Sequence, residues 1–411
     1  MIIGIDASRA FVDDRTGTEN YSYHVITQIL QLPEAKKHSF VLFTRPNAKV
    51  PSEIDGYDNV IVKNVNYRYL WTQLGLALET WKQFVNPYSS KAVNPDENMK
   101  NKRIHGFTDS RYLDVLWIPA HTLPIFRRSG IQTVVTIHGL EYQWLPEYKN
   151  ILQKWYLPLS TYYAAKNATG IISVSEYTAK QLQKETLIDK KSIKVIHEGV
   201  EIDRIAVNPY SRKSVISGLD ITHEKYVLFV GSVQPRKNLV ALIEAFSLFS
   251  RSNLLHKLVI AGGIGWMADD ILQAPAKYNI SENVVFTGRV SDAVLDGLYS
   301  HAQMYVQPSI TEGFGLPVLE AMGHGVPVIC SDGGALSEVV GEAGVIVSLK
   351  NGFVSELAKT MTKISENSEL RVKMTARGKK RVSELTWSKT AKETLKYLID
   401  IGSSKVVGRR S

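Results

Sequence analysis

Short apolar runs of strand length alternate with helix-patterned segments from the first residue onward, and the alternation starts afresh halfway along the chain. MIIGID (1–6), SFVLFT (39–44), VIVK (60–63), DVLWIP (114–119), IQTVVTIH (131–138), GIISVS (170–175) and SIKVIH (192–197) form the first series. YVLFVG (226–231), KLVIAG, NVVFTG, MYVQPS and VPVICSD form the second. Strands of this kind, separated by helices, build parallel sheets covered on both faces. The expected fold is α/β: two doubly wound, Rossmann-like domains facing a cleft. A chain of 411 residues is long enough for two such cores. The polar, strandless stretch 203–224 reads as the linker. The first domain then spans 1–203 and the second 204–385, with residues 386–411 packing back on the first through the helix LTWSKTAKETLKYLID (385–400). Residues 67–85 read as a helix with an apolar face of Leu70, Trp71, Leu74, Leu78 and Trp81, and the polar segment 86–110 as a long loop.

Composition narrows the class. Hydrophobic residues make up 44% and charged residues 22%, as in soluble globular chains. The N-terminus lacks a basic leader and meets Asp6 at once, and no apolar run reaches the ~18 residues of a membrane span. A lone cysteine, Cys330, cannot form an internal disulfide and fits a reducing, cytoplasmic setting. The net charge is +9, with basic clusters at Lys100–Arg103, Arg127–Arg128, Lys190–Lys191 and Arg409–Arg410. Such an excess is compatible with ordinary solvated charge, with an anionic membrane surface, or with phosphorylated small molecules. No nucleic-acid motif accompanies it.

In doubly wound sheets, ligands bind at the carboxyl ends of strands, beside helix N-termini. The segment TEGFGLPVLEAMGHGVPVICSD (311–332) has that form. Gly313 and Gly315 let backbone approach a ligand, and Pro317 suits a first helical turn. Glu312 and Glu320 flank this loop with seven residues between them. A carboxylate repels phosphate but accepts paired hydrogen bonds from a diol, so each suits sugar hydroxyls. Spacing alone equally allows two helix-end carboxylates favoured by the dipole. Asn238 is placed to cap LVALIEAFSLF.

The pattern E312-GFGLPVL-E320-AM resembles the signature of glycosyltransferase family 4: retaining, nucleotide-sugar-dependent enzymes of the GT-B fold. VVTIHGL (134–140), IISVSEYTAKQL (171–182), VIHEGV (195–200), FVGSVQPRKNLVALIEAF (229–246), VVFTGRVSDAVLDGLY (284–299) and GALSEVVGEAG (334–344) extend the resemblance over nearly the whole chain. It implies Lys237 on the donor diphosphate, and Glu312 and His138 at the transferred sugar. Glu320 falls on the ribose, Gly17 beside the diphosphate and acceptor, and Val290 at the base edge. Phe314, Gly315 and Leu316 complete the donor loop. Where the family often carries arginine this chain has Ser232, and Arg236 is the candidate replacement. Asp292 reads as a base acceptor or a plain helix cap, and Ser175 and Glu176 as a helix start near the acceptor. No Asp-x-Asp triplet occurs, and the resemblance implies no catalytic metal and no cofactor. PRKNL and LWTQLGL (70–76) are similar to mannosyltransferases of polysaccharide and O-antigen assembly. GDP-mannose is therefore the favoured donor, ahead of UDP- or dTDP-sugars, and a glycan or lipid-linked saccharide at the cytoplasmic membrane face the acceptor, with peripheral contact to anionic membrane. A GT-B epimerase and a non-catalytic nucleotide-sugar-binding subunit are the rival classes.

Overall fold

The computed structural model describes residues 1–13, 15–84, 112–140, 142, 151–189, 192–201, 225–251 and 256–407. The linker reading at 203–224, the loop reading at 86–110 and the basic clusters at 100–103, 190–191 and 409–410 fall outside them.

Within the described residues the strands form two parallel sheets. The first contains β1 (Ile2–Asp6), β2 (Ser39–Thr44), β3 (Val60–Asn64), β4 (Val115–Ile118), β5 (Gln132–Ile137), β6 (Gly170–Ser173) and β7 (Ile193–Val195), in the order β3-β2-β1-β4-β5-β6-β7. The second contains β8 (Lys225–Val230), β9 (His256–Ala261), β10 (Val284–Gly288), β11 (Met304–Gln307), β12 (Val328–Ser331) and β13 (Val345–Val347), in the order β10-β9-β8-β11-β12-β13. Strands β1, β4, β6, β11 and β12 are buried along their whole length, whereas edge strands β3 and β10 are only half-buried. That is why the central strands read as unbroken apolar runs. Each sheet reverses its winding once, between β1 and β4 and between β8 and β11. These are the points where doubly wound sheets leave a crevice.

The two halves touch. Gly313 packs against the end of β5 so closely that an added Cβ would stand 1.8 Å from the His138 carbonyl oxygen. Glu338 accepts backbone hydrogen bonds from Glu176 (2.9 Å) and Tyr177 (3.2 Å), at the start of helix Glu176–Thr186, and contacts His197 Nε2 at 2.6 Å. The last helix, Trp387–Val407, lies against helix Gly17–Gln31: Trp387 stacks on His24 at 5.1 Å, and Thr390 donates to the His197 carbonyl.

Two local readings change. The helix expected over 67–85 begins only at Trp71, after Leu70 in the left-handed region (φ 51°). It runs as a wide π-turn, Trp71–Leu76, into Ala77–Glu79. Its apolar residues divide between two faces. Trp71 is buried and donates to the Val65 carbonyl, while Leu70, Leu74, Leu78 and Trp81 are exposed. Asn238 stands at the cap position of helix Leu239–Ser250 but is left-handed (φ 56°), and its side chain donates to the Pro308 carbonyl instead of capping. It ties the turn after β8 to the end of β11.

Candidate active site

Loops from both switch points meet around a cavity of about 560 Å³. The first half contributes Thr16 and Gly17 after β1, His121 after β4, His138 and Gly139 after β5, and Glu198 after β7. The second half contributes Gly231, Ser232, Arg236 and Lys237 after β8, and Glu312 to Pro317 after β11. A neighbouring cavity of about 440 Å³ is lined by Arg15, Arg289, Asp292, Asp296, Tyr299 and Glu320, among others. Leu316 borders both. Of the residues singled out in the sequence, His138, Gly17, Ser232, Arg236, Lys237, Glu312, Phe314, Gly315 and Leu316 share the larger cavity. Glu320 and Asp292 line the smaller one. Val290 lines neither and packs, partly buried, against the core.

Two helix N-termini face the larger cavity. Helix Gly17–Gln31 begins beside Thr16, and an added Cβ at Gly17 would meet nothing within 4 Å. Helix Leu316–Gly323 begins after Gly315, whose φ of 109° and crowding by Leu336 exclude other residues. Unpaired N–H groups and the positive end of the dipole make such termini natural hosts for an anion.

Glu312 is the electrostatic centre. Lys237 Nζ lies 2.6 Å from Oε1, and Arg236 Nη1 lies 2.8 Å from Oε2. Gln307 and Ser309 also donate to Oε1, at 2.9 and 2.6 Å. Burial opposes the charge, but Lys237 and Arg236, with the hydrogen bonds from Lys237 and Ser309, hold this carboxyl down at about 2. Arg236 also donates to the Thr311 carbonyl at 2.7 Å. One carboxylate thus fixes two cations on the cavity wall, beside Ser232.

Glu320 differs. It receives the Tyr299 hydroxyl at 2.8 Å, and burial, aided by Asp296 and Asp292, raises its pKa. Ser291, rather than Asp292, caps helix Asp292–His301 by accepting from Val294. Ser175 caps helix Glu176–Thr186 and donates to the Gly313 carbonyl at 2.7 Å, so it joins the halves.

The His138 ring is fixed at both nitrogens. Nδ1 lies 2.9 Å from Glu198 Oε1, and Nε2 lies 3.0 Å from the Pro119 carbonyl oxygen. His121 stacks on it at 5.8 Å and accepts the His138 backbone N–H at 3.0 Å. Burial, with His138 and Arg9 nearby, pushes His121 down to about 3, so it is neutral. Sequence reasoning missed His121, Glu198, Gln307 and Ser309. All four lie at or just beyond a strand's carboxyl end, the rule already applied to their neighbours.

Two winding reversals, facing loops and converging helix N-termini define the GT-B architecture of glycosyltransferases. Sucrose-phosphate synthase from Thermosynechococcus elongatus shares this fold, with a TM-score of 0.69 and 19% identity over 98% of this chain and 99% of that one. The description "Glycosyl transferases group 1" matches residues 213–381, and "Glycosyltransferase Family 4" matches residues 110–204. Together they take in well over half of the chain, which belongs to this family. The O-antigen chain mannosyltransferase B of Escherichia coli is 29% identical over 266 residues, 64% of this chain and 69% of that protein. The O-antigen chain mannosyltransferase RfbU of Salmonella typhimurium is 29% identical over 228 residues, 56% and 59%. The matched stretches leave about a third or more of each relative outside the comparison.

Proposed function

We propose that the protein transfers mannose from GDP-mannose to a hydroxyl of a glycan or lipid-linked saccharide, with retention of anomeric configuration, in cell-surface polysaccharide or O-antigen assembly. The observation that carries this reading is the Arg236–Lys237 pair, fixed by Glu312 across the cavity from His138 and beside the Leu316–Gly323 helix start. Two cations against one carboxylate, together with a helix N-terminus, leave a net positive wall that stabilises the negative charge departing with the nucleoside diphosphate. They do so without a divalent metal ion. Glu320 takes the ribose diol in the smaller cavity, where Arg289 and Asp292 meet the base. The acceptor enters from the first half, near Gly17 and His138. The acceptor oxygen bonds to the anomeric carbon on the face from which the diphosphate leaves as the sugar–phosphate C–O bond breaks, and the leaving phosphate oxygen takes the acceptor proton. Attack on that same face preserves the anomeric configuration. Mannose is favoured by the two O-antigen mannosyltransferase relatives.

The exposed stripe Leu70, Leu74, Leu78 and Trp81 supports peripheral contact with an anionic bilayer. Trp81 Nε1 lies 3.4 Å from the Phe126 carbonyl, so the stripe adjoins exposed Ile125 and Phe126 and the Arg127–Arg128 pair. No described helix is long and apolar enough to cross a membrane.

The test is a thermal-shift series with GDP, UDP, dTDP and ADP, followed by turnover of the matching sugar nucleotides with EDTA and NMR of the product anomer. A saturable shift with GDP alone and EDTA-resistant formation of an α-mannoside support the reading. A shift with UDP or dTDP alone replaces the donor, and an inverted product overturns retention.

A further inference from the structure

His138 has no ring nitrogen left for a substrate. The Pro119 carbonyl can only accept, so Nε2 carries a proton and spends it there. Nδ1 faces the Glu198 carboxylate. His121 holds the backbone N–H and stacks on the ring, which fixes its position. Toward the cavity the cluster offers the Glu198 carboxylate as its acceptor, and His121, neutral and with Nε2 engaged as an acceptor, lines the same wall. Its side chain is only 6% exposed and lines the cavity wall. His138 holds one oxygen, and no hydrogen bond from the described residues reaches the other.

That oxygen opens onto the cavity, where an incoming O–H or N–H group can donate to it. Phosphate is excluded, because it repels a carboxylate and the opposite wall, with Lys237, Arg236 and the Gly315 helix start, already suits it. Of the donors that remain, the sugar-transfer reading supplies a neutral hydroxyl.

We propose that Glu198 binds a sugar hydroxyl with its cavity-facing oxygen, and that His138 acts on the substrate only by positioning Glu198. The proposal rests on the sugar-transfer reading above and adds to it which side chain on the first half recognises the sugar. The hydroxyl belongs either to the acceptor or to the transferred sugar, and kinetics separate the two.

Glu198→Gln keeps an oxygen for His138 but turns the cavity-facing atom into a donor. The expected result is a folded protein with GDP affinity within twofold of the unmodified protein and a KM raised about tenfold or more for the partner whose hydroxyl is held. An acceptor KM that rises while donor hydrolysis stays constant assigns the acceptor. Donor KM and hydrolysis that change together assign the transferred sugar. His138→Gln should raise the same KM, and the double variant should be no worse than Glu198→Gln alone, as expected when one residue acts through the other. Normal KM values for both partners in a folded Glu198→Gln protein overturn the proposal, and additive effects in the double variant overturn the positioning role. If the unmodified protein binds no nucleotide and moves no sugar, the reading beneath it fails and takes this one with it.

Discussion

Glu312 and Glu320 stand on one loop and helix, yet they titrate in opposite directions. Glu312 is held well below 4.5, at about 2, so its ionised form favours the folded state. That contribution, about 3 kcal/mol, is present above pH ~4.5 and is lost as pH falls from there through ~2. Glu312→Gln should therefore flatten the acid limb of a pH-dependent urea series. At pH 7 the same change strands Arg236 and Lys237 and should cost roughly 3–5 kcal/mol. Glu320 is raised, so its ionisation opposes folding: the cost is full above its folded pKa, shrinks as pH falls through that value and is gone below the ordinary value of 4.5. Glu320→Gln should raise the melting temperature at pH 7 while weakening nucleotide binding. A variant that loses stability there would remove the desolvation account. Lys237→Ala should lower turnover on the order of 10²-fold or more with the fold intact, as read by steady-state kinetics and circular dichroism.

At the scale of elements, the strand-to-helix loops carry the site, and glycine sets how closely they meet. Gly313 lies where a Cβ would overlap the His138 carbonyl, and its own carbonyl receives the Ser175 hydroxyl. Gly313→Ala should push the β5 and β11 loops apart, cost roughly 1–3 kcal/mol and suppress transfer more than nucleotide binding. Equal loss of both would mean that the second half alone is disturbed. The strands were legible because burial on both faces leaves an unbroken apolar signature. The Leu70–Trp81 segment was legible as apolar but not in its orientation: both of its faces carry large apolar residues, and periodicity cannot say which one meets the core.

For the molecule as a whole, contacts remote in sequence hold the halves together. Glu338 of the second half sits on the helix start at Glu176–Tyr177 and on His197, and the Trp387–Val407 helix returns to the first sheet. The surface of Leu74, Leu78, Trp81 and Phe126 lies on that first half. Trp81→Glu should reduce cosedimentation with phosphatidylglycerol vesicles several-fold while leaving turnover of a water-soluble acceptor unchanged. Undiminished vesicle binding would remove this face as the contact.

The sequence by itself determined the two alternating series of strands and helices, the loop between Glu312 and Glu320, and the family, because each is written in local pattern and spacing. Tertiary structure decided which charges share a wall. Arg236 and Lys237 converge on a glutamate about 75 positions away, and His138 meets Glu198 across 60 positions. Lys237 could be singled out from its motif, but that its ammonium is held by Glu312 could not, since ion pairing depends on distances that only the folded loops set.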